Sequence, residues 1–264
     1  MMTITDRHQY ILQKLHENGR VDIQELSDSI QVSGVTIRKD LKLLEERNLL
    51  FRTRGGGSMI NPYATEKPIN EKEFIKVEEK KKIAKAALSF INETDSIIIG
   101  SGTTVFELSR SLHPSKRLTV ITPALKVALE LYNRPNIEVL LLGGMVHQSS
   151  AAAAGAFAER ILDDLSCDIL FLGVDGIDLD FGLSIANITE TSLNQKMIQM
   201  AQKVIIMADS TKFGRRGLGK IGCLDQIDFI ITDGAIPSGT ARELEEKGIK
   251  VIIADKPNRN TVEK

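Results

Sequence analysis

The sequence predicts an α/β protein in two parts, a small three-helix domain with a β wing at the N-terminus and a larger domain on a mainly parallel sheet. Three observations carry this. The first sixty residues show apolar positions at helical spacing and then an alternating stretch that ends in three glycines. From Ser96 onward, seven short apolar runs alternate with amphipathic segments of helix length. Between these parts, residues 58–71 hold Asn61-Pro62 and Lys67-Pro68 with little apolar periodicity, as a linker does. The expected boundaries are therefore 1–57, 58–71 and 72–264.

In the first part, Tyr10, Ile11, Leu12 and Leu15 form one apolar stripe, Ile23, Leu26 and Ile30 a second, and Ile37, Leu41 and Leu44 a third. Asn18-Gly19 suits the end of the first helix, and Ser33 is placed to cap the third. Leu49 to Gly57 predicts a strand or hairpin with a flexible glycine tip. After the linker, a charged helix from about Glu71 to Ile91 is expected to bury Phe74, Val77, Ala84, Leu88 and Ile91, with the lysine run 80–82 solvated. The apolar runs are Ile97–Ile99, Leu118–Ile121, Ile137–Leu142, Ile169–Val174, Val204–Met207, Phe229–Ile231 and Val251–Ala254. Runs this apolar suit strands covered on both faces, and the segments between them supply the crossovers of a parallel sheet.

Composition sets limits. With 264 residues, 42% hydrophobic, 26% charged and a net charge of −1, the chain can bury a real core and is not of disordered type. Two cysteines, Cys167 and Cys223, fit neither a disulfide framework nor a metal spacing, so a reducing compartment is expected and no metal or cofactor. No signal-peptide core or membrane-length apolar run occurs, which predicts a cytoplasmic protein.

A helix, a short break and a second helix that begins polar form the helix-turn-helix pattern, whose second member enters the major groove of DNA. Ser33, Gly34, Thr36, Arg38 and Lys39 stand at the start of that helix. From Gly34 to Arg54 the chain carries Arg38, Lys39, Lys42, Arg47, Arg52 and Arg54 against only Asp40, Glu45 and Glu46. Positive charge is thus concentrated where phosphates would be met. Asp6-Arg7, Val32-Ser33, Thr36 to Leu41 with Leu44, and Arg52-Thr53-Arg54 before Gly55-Gly56-Gly57 resemble the DeoR-type winged helix-turn-helix. Lys39 stands where that family usually has a second arginine, which keeps the charge and loses the guanidinium fork.

In the second part, Ile97-Ile98-Ile99 runs into Gly100-Ser101-Gly102-Thr103-Thr104 and then a helix, a strand, glycine turn and helix N-terminus that together favour an anion such as phosphate. No Gly-Lys-Ser/Thr follows, so it is not a P-loop, and an ordinary tight turn is the competing reading. Gly143-Gly144, Asp175-Gly176 and Asp209 to Gly214 end three further runs, so Lys212 could supply a cation and Asp175 could accept from sugar hydroxyls. These segments, with Phe171 to Asp178, Gly182-Leu183-Ser184, Glu190 and Ala208 to Phe213, are similar to the sensor domain of DeoR-type regulators. That domain is similar in turn to sugar-phosphate isomerases, and the resemblance implies a phosphorylated sugar effector bound by these residues. Thr122-Pro123-Ala124 departs from the family's Thr-Asn-Ser.

The expected function is a DNA-binding transcriptional regulator, a repressor of sugar metabolism genes controlled by a phosphorylated sugar and acting as a homo-oligomer, not an enzyme. The rival is an isomerase or deaminase with an appended DNA-binding domain. Proton transfer between sugar carbons needs a carboxylate base. The isomerases place a Glu after Asp-Gly-Ala-Asp, whereas here Leu179 follows Asp175-Gly176-Ile177-Asp178, leaving Asp178 or Glu190 to serve.

Overall fold

The computed structural model describes residues 2–47, 49–53, 55–58, 64, 66–92 and 96–254. The N-terminal domain is built from α1 (Ile4–Asn18), β1 (Arg20–Asp22), α2 (Ile23–Ile30), α3 (Gly34–Glu46), β2 (Phe51–Arg52) and β3 (Gly56–Ser58). Each helix begins at a side-chain cap. Thr3 and Asp6 form a reciprocal capping box at α1, Asp22 accepts from the backbone of Gln24 and Glu25 at α2, and Ser33 accepts from Thr36 at α3. Gly19, at φ 75°, closes α1 in the left-handed conformation that glycine adopts without strain. The predicted apolar stripes meet in one core, with Ile11, Leu15, Leu26, Ile37, Leu41 and Leu44 all buried.

The glycines do not form a free tip. Gly56 and Gly57 lie buried in β3, which pairs with both β1 and β2. A Cβ on Gly56 would stand 1.7 Å from the Val21 carbonyl oxygen, so glycine is what lets β3 approach β1. The alternating pattern of Leu49 to Gly57 gives no sign of this, because β1 is only three residues long.

Asp40, 2% exposed, receives a fork from Arg7, with Nε to Oδ2 at 2.8 Å and Nη2 to Oδ1 at 3.0 Å. The pair ties α3 to α1. Replacing Asp40 by Ala strands the half-buried guanidinium and costs about 3–5 kcal/mol, much of what a domain this small possesses. Urea unfolding of the full chain followed by circular dichroism is expected to show an early transition in Asp40→Ala, and an unchanged profile would contradict the assignment.

The larger domain continues with α4 (Ile69–Glu73), α5 (Val77–Ala87), β4 (Ser96–Ile99), α6 (Thr103–Ser111), β5 (Leu118–Thr122), α7 (Leu125–Leu131), β6 (Ile137–Leu141), β7 (Met145–His147), β8 (Ala152–Ala154), α8 (Ala156–Leu162) and β9 (Cys167–Leu172). It ends with β10 (Gly176–Asp178), β11 (Gly182–Ile185), α9 (Thr191–Met200), β12 (Ala201–Met207), β13 (Gly219–Gly222), β14 (Phe229–Thr232), α10 (Ser238–Glu246) and β15 (Lys250–Ile253). All seven apolar runs become strands of one sheet, ordered β15-β14-β12-β9-β4-β5-β6 and parallel throughout. The two core clusters divide along the alternation of its strands. Ile98, Leu170 and Ile206 face one side, and Ile97, Ile99, Ile169, Phe171 and Ile205 the other.

Two features differ from expectation. The single charged helix is broken into α4 and α5, with Lys76 at φ 55° between them and Phe74 83% exposed. Lys80, expected in solvent, is 4% exposed. It lies three, four and seven residues before Ile83, Ala84 and Ala87, which places it on the buried stripe of α5.

Candidate functional site

Strand order reverses direction between β4 and β9, since β5 and β6 lie beyond β4 on one side while β12, β14 and β15 lie beyond β9 on the other. Open parallel sheets bind ligands at such a point, beyond the C-terminal strand ends. A cavity of about 450 Å³ lies there. Its floor is the turn after β4, where Gly102 at φ 123° has no atom within 4 Å of a would-be Cβ. No side chain caps α6, so its first backbone N–H groups are left for a ligand.

The loop after β12 supplies one wall. Asp209 holds it by accepting from the Thr211 backbone at 3.0 Å, and Ser210 donates its N–H to Asp233 at 2.7 Å. Lys212, whose backbone N–H donates to the Asp209 carbonyl at 3.0 Å, lines the cavity, and its side chain makes no hydrogen bond or ion pair among the described residues. Burial pushes its ammonium below the ordinary lysine range, opposed by the charges of Asp209 and Asp175. Lys80 enters the same cavity from α5 and is lowered chiefly by burial, with Asp209 again opposing. Two partly desolvated ammonium groups that line the same cavity as an uncapped helix N-terminus have the chemistry to hold a dianion.

Opposite them stand acceptors and hydroxyls. Glu190 is 6% exposed; one carboxylate oxygen accepts from the Ser101 hydroxyl at 3.2 Å, and the other, Oε1, is buried without a partner. The Ser150 hydroxyl, also in the cavity lining, is buried and unpartnered as well. Asp175 accepts from Lys72 Nζ at 2.8 Å and from the Ala186 N–H at 3.0 Å. Burial raises its carboxyl, but Lys72 and the hydrogen bonds outweigh that and hold it below the ordinary carboxylate range. Buried polar atoms without partners are costly, so a ligand rich in hydroxyls fits this wall.

Of the sequence-predicted residues, Ser101, Gly102, Thr103, Thr104, Asp175, Glu190 and Lys212 are brought together in the cavity. Gly100, Gly143, Gly144 and Gly176 are not among its lining residues. Gly100 packs against Leu172, Gly144 against the Ala154 carbonyl, and Gly176 against the Arg215 carbonyl, each so closely that a Cβ would clash, while Gly143 faces open space. The sequence reading missed Lys72, Lys80 and Ser150. The burial stripe of α5 would have found Lys80; nothing in the local pattern marks the other two.

On the N-terminal domain, Arg38 and Lys39 are exposed on α3, as is Val35, whereas Ser33 and Thr36 hydrogen-bond each other at the start of the helix, their hydroxyls 3.0 Å apart. Gly34 packs near Ile23. Arg52 is exposed in β2, where its N–H donates to Glu45 at 2.9 Å. Arg54 lies outside the described residues.

Residues 7–62 match the DeoR-like helix-turn-helix domain, and residues 75–234 match the DeoR C-terminal sensor domain. The regulator YulB of Bacillus subtilis is 35% identical over 250 residues, 95% of this chain and 96% of that one. GolR of Listeria innocua, named as a transcriptional regulator, is 32% identical over 95% and 98% of the two chains. CsqR of Escherichia coli, named as a transcriptional repressor, is 30% identical over 96% of each. A solved ribose 5 phosphate isomerase A from Neisseria gonorrhoeae aligns over 51% of this chain and 52% of its own at 16% identity and a TM-score of 0.36. Matched over nearly its full length by such relatives and by both domain families, the chain belongs to the DeoR family of helix-turn-helix transcriptional regulators.

Proposed function

We propose that this chain is a repressor of sugar metabolism genes that binds operator DNA through residues 1–57 and responds to a phosphorylated sugar held by residues 72–264, with 58–71 as the linker. One observation carries the effector reading: Lys80 and Lys212 line the same cavity as the uncapped N-terminus of α6 and the open Gly102. The phosphate sits there, and Glu190, Ser150 and Asp175 meet the sugar hydroxyls. Arg38, Lys39 and Thr36 face the major groove, Ser33 and Gly34 set the start of the recognition helix, and Arg52 and Arg54 reach the backbone. One such domain reads a short half-site, so selectivity against a genome's competing sites calls for a homo-oligomer on repeated half-sites. No helix among the described residues is long and apolar enough to cross a membrane.

The unpartnered Glu190 Oε1 favours one second reading, an isomerase or deaminase in which that carboxylate moves a proton. Against it, Asp178, the other carboxylate available, is spent on the backbone of Asp180 and Phe181 and on Arg216 at 2.8 Å, and it is not among the cavity's lining residues.

Calorimetry tests the proposal with sugar phosphates and the matching unphosphorylated sugars. Charge-assisted hydrogen bonds contribute about 1.5–3 kcal/mol each, so Lys80→Ala and Lys212→Ala are each expected to weaken sugar-phosphate binding about tenfold or more. Equal affinity for phosphorylated and plain sugar, or no loss in either variant, would contradict it.

A further inference from the structure

The cavity has a wall formed by the connection between the domains and by the short helix α4 that follows it. Ala64, Glu66, Lys67, Ile69 and Lys72 all line it. The described residues of this strap are held at several points: the Ala64 N–H donates to the Arg216 carbonyl at 2.8 Å and the Ile69 N–H to the Ser149 carbonyl at 2.7 Å. Glu66 accepts from Asn187 Nδ2 at 3.1 Å and from the Ser149 hydroxyl. Lys126 donates to Asn70 at 2.9 Å and to Glu73. Upstream, Ala64 follows β3 of the DNA-binding domain by only six residues.

Two of the strap's anchors are groups that a ligand would also want. Lys72 Nζ is bound to Asp175 Oδ1 at 2.8 Å, both side chains being largely buried. Lys80 Nζ donates to the Lys72 carbonyl at 2.6 Å. A phosphate that draws Lys80 toward the α6 N-terminus therefore pulls on the backbone carbonyl of Lys72. A dianion beside Lys212 also competes with Asp175 for the Lys72 ammonium, and a sugar hydroxyl competes with Lys72 for the carboxylate. Both exchanges loosen the same point of the strap.

We propose that the Lys72–Asp175 ion pair is the coupling device of this regulator: occupation of the cavity breaks the pair, releases the strap at residues 66–73, and so changes the hold on the DNA-binding domain. This rests on the sugar-phosphate reading above. Lys72 is a coupling residue here, and the phosphate remains the charge of Lys80, Lys212 and the α6 N-terminus. A ligand shifts a two-state equilibrium only through contacts that differ between the states, and this pair is such a contact.

The test uses the full chain with ribose 5-phosphate, glucose 6-phosphate, fructose 6-phosphate and inorganic phosphate. Operator affinity is measured without and with each probe at concentrations that saturate the protein, so that changes in probe affinity do not enter the ratio. The parent is expected to shift by a factor in the ordinary range of about 5–150 with at least one sugar phosphate. Lys72→Met still binds that probe by calorimetry, but its operator affinity shifts less than about twofold. Lys212→Ala, by contrast, binds the probe more weakly and keeps the parent's shift once saturated. Hydrogen exchange on the parent provides a readout independent of any variant's folding: amides of residues 66–73 exchange faster when the probe is bound. If no probe binds the parent, the sugar-phosphate reading falls and this inference with it. If the parent binds and responds while Lys72→Met shifts as the parent does, or residues 66–73 exchange unchanged, the strap inference alone is overturned.

Discussion

Gly102→Val is expected to abolish the response to sugar phosphate while operator binding in its absence stays at the parent's level. A Cβ at this position has no protein atom within 4 Å and Gly102 lines the cavity, so the substitution fills space that the proposed phosphate needs. The backbone at φ 123° is a region that side-chain-bearing residues rarely adopt, and holding valine there costs about 1–3 kcal/mol. Loss of backbone approach removes charge-assisted bonds from the first turn of α6, and two such bonds lost correspond to roughly a hundredfold weaker binding or more. Calorimetry and operator titration with saturating sugar phosphate check both halves. Parent-like binding would move the phosphate away from this turn.

Arg38→Ala is expected to weaken operator binding by about 1–3 kcal/mol and to relax sequence preference, because a groove-facing arginine reads a base edge. Arg52→Ala, on the wing, is expected to weaken all sequences alike and to flatten the salt slope by about one unit. The exposure of Arg38 and Lys39 on α3 leaves them available for such contacts, and Arg52 is likewise exposed beside Glu45. Titrations of both variants at several salt concentrations separate the two roles. An Arg38 variant with unchanged operator preference would remove α3 from the groove.

The parallel sheet was legible because buried central strands are apolar on both faces: Ile97-Ile98-Ile99 sends alternate side chains into two different cores, and both must be greasy. Caps were legible for a similar reason, since Ser33 does one local job that few residue types do. Of the cavity, the turn 101–104, Asp175 and Lys212 could be read from strand ends, whereas Glu190 came only from the family resemblance. Lys80 was hidden by its company. A run of three lysines suggests solvent, and only the register against Ile83, Ala84 and Ala87 turns the first of them inward. Lys72 carries no local signal at all, because its partner Asp175 lies 103 residues away and α4 is a five-residue helix set by tertiary contacts. Gly56 likewise looked like loop chemistry until β1 closed on it. Arg7 and Asp40, by contrast, stand in the motif that marks the family resemblance, and the fork between them gives both a structural reason to be there.

A regulator of this kind changes its hold on the operator when a phosphorylated sugar binds and does not consume that sugar. The decisive measurement is an operator titration of the parent across a panel of sugar phosphates, with the same mixtures analysed for isomerised or deaminated product. At least one sugar phosphate is expected to shift operator affinity by about 5–150-fold and to be recovered intact. Turnover at an ordinary enzymatic rate of about 1–1,000 per second, or an operator affinity that no sugar phosphate moves, would contradict it.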